Sequence, residues 1–230
     1  MKVVDAHLIT NLVFIGSAFL VPVLAFGTYK ASGASNKKAL LISAGITLWG
    51  ILMYFFCTSW QFNIESPITV WSIVILNVIW PSLVIVIFKD YFVGDGLDLK
   101  WLTLIQATRF MGALFILENF LGNTGTAFAY IGGLGDFMAA VIALTILLQL
   151  LTGGKPNKFI YYFLIAFGSL DFIVVYGLSL FSSETSLQAL AINESHHMNL
   201  YPLAMLPYFL VPFAMAYHVL MYMTLKRTED

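Results

Sequence analysis

The chain is poor in charge: 10% of its 230 residues are Asp, Glu, Lys or Arg, against roughly 25% in soluble globular domains. It has one cysteine, Cys57, so no intrachain disulfide is available. Histidine is scarce at four residues, which leaves little for a metal centre. The net charge of −1 gives no basic face for nucleic acid. The even-numbered loops between its apolar runs contain no lysine or arginine at all.

Hydrophobic residues make up 60% of the chain, with 20 Phe, 11 Tyr and 5 Trp. Mean hydropathy is +0.89. A surface of that composition needs lipid as its solvent. A membrane helix takes about 20 apolar residues, and seven such runs occur, at about 9–29, 38–58, 69–88, 101–121, 126–151, 158–181 and 200–225. The expected fold is therefore all-α: a single polytopic domain of seven transmembrane helices covering residues 1–230. The breaks carry turn residues, as in Gly94-Asp95-Gly96, Gly122-Asn123-Thr124-Gly125 and Gly153-Gly154-Lys155-Pro156-Asn157. The connection 182–199 holds His196-His197 and Glu194 and has room for a short interfacial helix.

Orientation follows from the basic residues. Lys30, Lys37, Lys38, Lys89, Lys100, Lys155, Lys158, Lys226 and Arg227 fall on one side of a seven-span arrangement, nine of the 11. Basic loops stay in the cytoplasm, so the N-terminus is expected outside and the C-terminus inside. Lys2 followed by the apolar run 12–26 has the look of a signal peptide, but Asp5 and His7 interrupt the basic region and no small-residue cleavage site precedes Lys30. The first run is thus read as a retained span. Tyr29, Trp60, Trp101 and Tyr222 lie near span ends and suit an aromatic belt. Pro22 and Pro212 lie inside the first and seventh spans, each in the string Phe-Leu-Val-Pro, and predict kinks.

An ionisable group inside hydrocarbon costs about 2.5–3.5 kcal/mol on insertion scales. Arg109, Glu118, Asp136, Asp171 and His218 all fall inside the runs. Counting from the span ends puts Arg109 and Asp136 at the same mid-depth on neighbouring antiparallel helices, because a short turn joins their spans. Arginine stays charged, so a buried one needs an anion, and an Arg109–Asp136 ion pair is expected. Asp171 falls slightly towards the outer half, Glu118 nearer the outer surface and His218 in the inner half. Gln106 and Gly112 flank Arg109 by one turn. Gly132, Gly133 and Gly135 precede Asp136 and permit close backbone approach or a helix break. Asn77, with Trp80 and Pro81 beside it, is a candidate for completing the lining or for joining helices.

Such a pair is also a plain structural lock, and a buried ion pair is weak evidence of more. Its charge is unbalanced, however, with one arginine against Asp136, Asp171 and Glu118, which is the raw material of a proton or cation site. His218 alone reads as packing, and His196-His197 as a solvated loop. Asp90, Asp95 and Asp98 do not have EF-hand spacing.

The residues 200–225 contain no lysine, so a retinal Schiff base of the microbial-rhodopsin kind is excluded. The paired histidines needed by the seven-helix ceramidase and adiponectin-receptor hydrolases are missing as well, as is a second intramembrane histidine for haem. The pattern Gln106-x-x-Arg109-x-x-Gly112, then Phe128-Ala129, then Gly132-x-x-Gly135-Asp136 is similar to one in uncharacterised bacterial seven-helix membrane proteins. That resemblance implies a bacterial inner membrane and assigns no activity. The cofactor is unknown, and no nucleophile–base constellation marks an enzyme. Three functions are compatible: a small-solute or proton-coupled transporter with Arg109, Asp136, Asp171, Gln106, Asn77 and Glu118 at its site, a membrane protein holding a lipid, quinone or other noncovalent cofactor, and an accessory or assembly subunit. The expected partners are the bilayer, a small solute or proton, and a second copy of the chain.

Overall fold

The computed structural model describes residues 8–59, 75–182, 189 and 203–227. All regular structure among them is helical. Helix α1 is Leu8–Ala31 and α2 is Asn36–Ser59. A π-helical turn, Ile75–Ile79, leads into α3, Trp80–Ile87, and a short α4 follows at Lys89–Phe92. Helix α5, Leu99–Ala107, passes through a 3₁₀ stretch, Thr108–Gly112, into α6, Ala113–Phe120. A second π turn, Phe128–Gly132, opens α7, Gly133–Leu151. Helix α8 is Lys158–Phe181. A third π turn, Leu206–Leu210, opens α9, Val211–Arg227.

Five helical stretches are long and apolar enough to cross a membrane: Leu8–Ala31, Asn36–Thr58, Phe128–Leu151, Lys158–Phe181 and Leu206–Arg227. These agree with five of the seven apolar runs within a few residues. The run at 101–121 is helical from 99 to 120 but interrupted by its 3₁₀ stretch. The run at 69–88 is described from Ile75 and contributes a shorter apolar helix, Asn77–Ile87. Trp60, the start of that run, His196-His197 and the N-terminal Lys2, Asp5 and His7 lie outside the described residues.

Local chemistry accounts for the ends. Asp98 caps α5, its carboxylate accepting from the backbone N–H of Lys100 at 2.8 Å and Trp101 at 3.2 Å. Asn157 caps α8 through Phe159 N–H at 2.9 Å. Gly94 and Gly96 take φ of 56° and 120° in the turn before α5, a conformation open to glycine. Pro22 lies inside α1, and its carbonyl accepts the Ser43 hydroxyl of α2 at 2.8 Å. Pro212 lies inside the continuous helical stretch Leu206–Arg227, directly after its π turn, so the irregular backbone falls where the proline removes an N–H.

The helices differ sharply in how much of them is covered. The most apolar window of 206–227 is 78% buried and that of 36–58 only 11%. The last described helix is thus the axis of the bundle, and α2 its periphery, with Leu40, Leu41, Leu48, Leu52 and Phe55 facing outward. Two residues expected in an aromatic belt turn inward instead. Tyr29 is buried in the core, and the Trp101 ring lies over Gly27, where a Cβ would come within 2.2 Å of it. Tyr222 is exposed.

One end of the bundle is tied by polar contacts. Arg227 pairs with Asp90 at 2.6 Å and also donates to the Gly94 carbonyl. Leu97 N–H donates to Thr224 Oγ1 at 3.2 Å, and Asp98 N–H to Ser32 Oγ at 2.8 Å. Lys38 lies 4.9 Å over the Tyr91 ring. The lysine-bearing first loop, the third loop and the end of α9 therefore gather at the same end.

Candidate functional site

Arg109 sits in the 3₁₀ stretch, in the middle of the 99–120 helix, and is 4% exposed. All three guanidinium nitrogens have a partner. Nε donates to Asp136 Oδ1 of α7 at 2.7 Å. Nη2 donates to Asp171 Oδ2 of α8 at 2.6 Å. Nη1 lies 3.4 Å from His218 Nε2 of α9. The guanidinium carbon stands 4.0 Å from the centre of the Phe172 ring, a cation–π contact. One arginine thus joins four helical segments.

Glycine makes the room. At Gly112 a Cβ would come within 2.3 Å of the Asp136 Cβ, and at Gly133 within 2.8 Å of the Gly112 carbonyl, so these two backbones face each other. At Gly135 it would sit 1.7 Å from Asp171 Oδ1. At Gly168 it would meet Arg109 Nη1 at 2.5 Å and His218 Nε2 at 2.6 Å. The polar cluster lies in a socket whose walls are partly bare backbone: a side chain at Gly112, Gly135 or Gly168 displaces it, and one at Gly133 forces the two backbones apart. Gly132 plays a separate part, packing against Val175. Of the two roles open to the Gly-rich segment, close approach is the one seen beside Asp136. The irregular backbone is the π turn just before it.

The expected Arg109–Asp136 pair is present, and Asp171 joins it. Glu118 does not: it is fully buried near the far end of α6, where Thr10 of α1 donates to Oε1 and Asn123 Nδ2 donates to Oε2 at 2.8 Å. Asn77 is buried in the π turn before α3, and Trp80 beside it points outward at 52% exposure, away from the pocket beside Arg109. Gln106 is fully buried one turn from Arg109, its amide donating to the Ala214 carbonyl at 3.1 Å. Its Oε1 has no hydrogen-bond partner among the described residues, and neither has His218 Nδ1. Because Arg109 is always a donor, Nε2 of a neutral His218 accepts and Nδ1 carries the proton.

Residue counting placed Asp171 and His218 on opposite sides of the midplane, yet both reach Arg109, because its long side chain bridges the offset. His218, Gly168 and Phe172 were not assigned to the site from sequence. One signal was available for Gly168: Gly133-x-x-Asp136 and Gly168-x-x-Asp171 share their spacing, so each carboxylate follows a glycine by one turn. Nothing comparable singles out His218. Among the described residues no group of three His, Cys, Asp or Glu has the arrangement of a metal site; Asp136, Asp171 and His218 surround a guanidinium.

A cavity of about 30 Å³ adjoins the cluster, room for one or two waters. Arg109 and Asp136 line it together with Ser17, Thr108, Phe172 and apolar residues of α1 and α9. The Asp136 side chain is 8% exposed, and its Oδ1 is taken by Arg109.

A family model described as "Domain of unknown function (DUF8737)" matches residues 67–226, more than half of the chain, and the chain belongs to that family. The match contains Arg109, Glu118, Asp136, Asp171 and His218, and begins after α1 and α2. Searches of curated proteins and of solved structures return no match.

Proposed function

We propose that the protein is a proton-coupled membrane transporter of seven spans, its lysine-rich end in the cytoplasm of a bacterial plasma membrane, with Arg109, Asp136 and Asp171 as its midplane site. The observation that carries this is the charge balance of a closed cluster. One guanidinium is shared by two carboxylates, each buried and each within 2.7 Å. With His218 neutral the group carries a net charge of −1, and a low-dielectric surrounding makes such a charge costly. One proton neutralises it. The adjoining pocket, lined by Arg109 and Asp136, gives water a place beside the cluster, and water is the carrier a proton needs.

The geometry gives binding a mechanical consequence. Arg109 holds α7 through Asp136 and α8 through Asp171 by separate nitrogens. A proton on either carboxylate turns that ion pair into a neutral hydrogen bond and weakens one tie while leaving the other. Protonation then loosens one helix against the rest, which is the kind of two-state element that alternating access needs.

The test is proton flux in proteoliposomes, read with an internal pH dye under an imposed gradient. Asp136→Asn and Asp171→Asn each keep an oxygen acceptor for Arg109 and are expected to abolish flux while the protein remains folded. A wild type that carries no proton and no member of a broad solute panel would overturn the reading. A second reading, a purely structural lock in an accessory subunit, is favoured by the glycine socket, which leaves the guanidinium little room to move. The charge swap Arg109→Asp with Asp136→Arg separates the two: a lock regains folding and cellular function, whereas a transport site regains folding alone.

A further inference from the structure

We infer that His218 and Gln106 hold a water between them, and that histidine and water together pass protons between the midplane site and the lysine-rich end; the passage rests on the proton-coupled reading of that site. Gln106 lies one turn before Arg109 on the 99–120 helix, on the side of Lys100. Its amide is fixed by the Ala214 carbonyl of α9 at 3.1 Å. A helical carbonyl points at the N–H four residues on, so the Gln106 amide stands beside His218. The histidine is fixed through Nε2, 3.4 Å from Arg109 Nη1. Its ring centre is 6.0 Å from that of Phe172, and the bare backbone of Gly168 adjoins Nε2. Both side chains are at most 1% exposed.

Each side chain has one polar atom left over, and the two are complementary. The Ala214 carbonyl can only accept, so the amide nitrogen of Gln106 faces it and Oε1 is the free end. Arg109 can only donate, so Nε2 accepts and Nδ1 carries the proton. Neither Gln106 Oε1 nor His218 Nδ1 has a hydrogen-bond partner among the described residues. Buried polar atoms are paired as a rule, and a water satisfies both of these, accepting from Nδ1–H and donating to Oε1. Neither residue lines the pocket beside Asp136.

The arrangement can move a proton. A carboxylic acid of the cluster loses its O–H bond as an N–H bond forms at Nε2, while the Nδ1–H bond breaks as an O–H bond forms on the water. The carboxylate is restored to Arg109, the histidine stays neutral, and the water passes on the extra proton. Run backwards, the same transfer loads the site. An Nε2–H would face the Arg109 donor, so the Nδ1–H form is the resting one. Beyond the water, Thr103, Thr28 and Tyr217 are buried on the same side of Arg109, with Tyr217 donating to Thr28 Oγ1 at 3.4 Å. On the opposite side Phe115 packs against Phe14 at 5.7 Å and Phe128 at 5.4 Å, an apolar layer that offers a proton no carrier.

The experiment is solid-state NMR of the full chain in lipid, with histidine rings labelled with nitrogen-15. The chain has four histidines, and His218→Gln identifies the signal of His218. The expected spectrum shows a neutral ring protonated at Nδ1, in contact with a water that is lost in Gln106→Leu. In proteoliposomes His218→Gln should lower proton flux about tenfold or more, because its amide keeps an acceptor for Arg109 and a donor for the water but relays no proton. A proton on Nε2, or an Nδ1–H bonded directly to Gln106 with no water contact, overturns the proposal whatever the flux. So does unchanged flux in a folded His218→Gln protein whose wild type transports. Should His218→Gln not fold, Gln106→Leu takes its place, with the same loss of flux expected and unchanged flux counting against the relay. A water at Nδ1 in a wild type without flux would sustain the water site and sink the transport reading instead.

Discussion

Two arginines in this chain pair with aspartate at the same distance and in different media. Arg109 meets Asp171 at 2.6 Å with both side chains 5% exposed. Arg227 meets Asp90 at 2.6 Å with side chains 31% and 83% exposed. The geometry is equal and the energetics are not. At the exposed pair, water and salt screen the attraction, and such pairs contribute about 0–1 kcal/mol. At the buried one, desolvation has already been incurred by three charges, so removing any single partner strands the others. Bond length therefore does not show which pair governs the molecule; the surroundings do.

The largest expected effect comes from Arg109→Met, which leaves two carboxylates facing each other in the socket. It should cost about 3–5 kcal/mol, seen as loss of cooperative thermal unfolding in detergent or as loss of the folded protein. Adding Asp136→Asn and Asp171→Asn to Arg109→Met should recover most of that stability and none of the flux. If the triple variant is as unstable as the single one, the cost lies in packing and the contrast with Arg227 fails. Next comes Gly135→Ala, which forces Asp171 off its position and should cost about 1–3 kcal/mol. Gly16→Ala, with nothing within 4 Å of the new methyl, is its control and should be neutral or slightly stabilising. The smallest effect belongs to Arg227→Ala, less than about 1 kcal/mol. Its contribution should fade as salt is raised, while that of Arg109 stays constant. An Arg227→Ala loss as large as that of Arg109→Met would break the comparison.

Much of the frame was legible because it depends on composition and on short turns. Apolar runs broken by Gly and Pro marked the helices, and the four-residue turn after 120 matched Arg109 with Asp136. What was not legible depends on rotation about helix axes. Whether Tyr29 faces lipid or core, whether Trp80 lines a site, and whether Glu118 points at Arg109 are set by which side of a helix is turned inward. In a chain this apolar, both sides look alike. His218 was missed for the same reason, since its neighbours in sequence are as apolar on its outer side as on its inner one. Asp171 was found because a carboxylate in an apolar run has few places to be; a histidine has many.

The helix that runs from 206 to 227 is the most buried of the candidate spans and the latest of them in the chain. During synthesis it leaves the ribosome after α3, α5 and α8, the helices that pack against it, and after α1 and α2, which pack against its opening π turn. Those helices cannot pack into their final arrangement while their axis is missing, and Arg109 has no His218 to meet until then. Burial and chain order thus run against each other: the span with the most contacts to satisfy is the last of the five to be made.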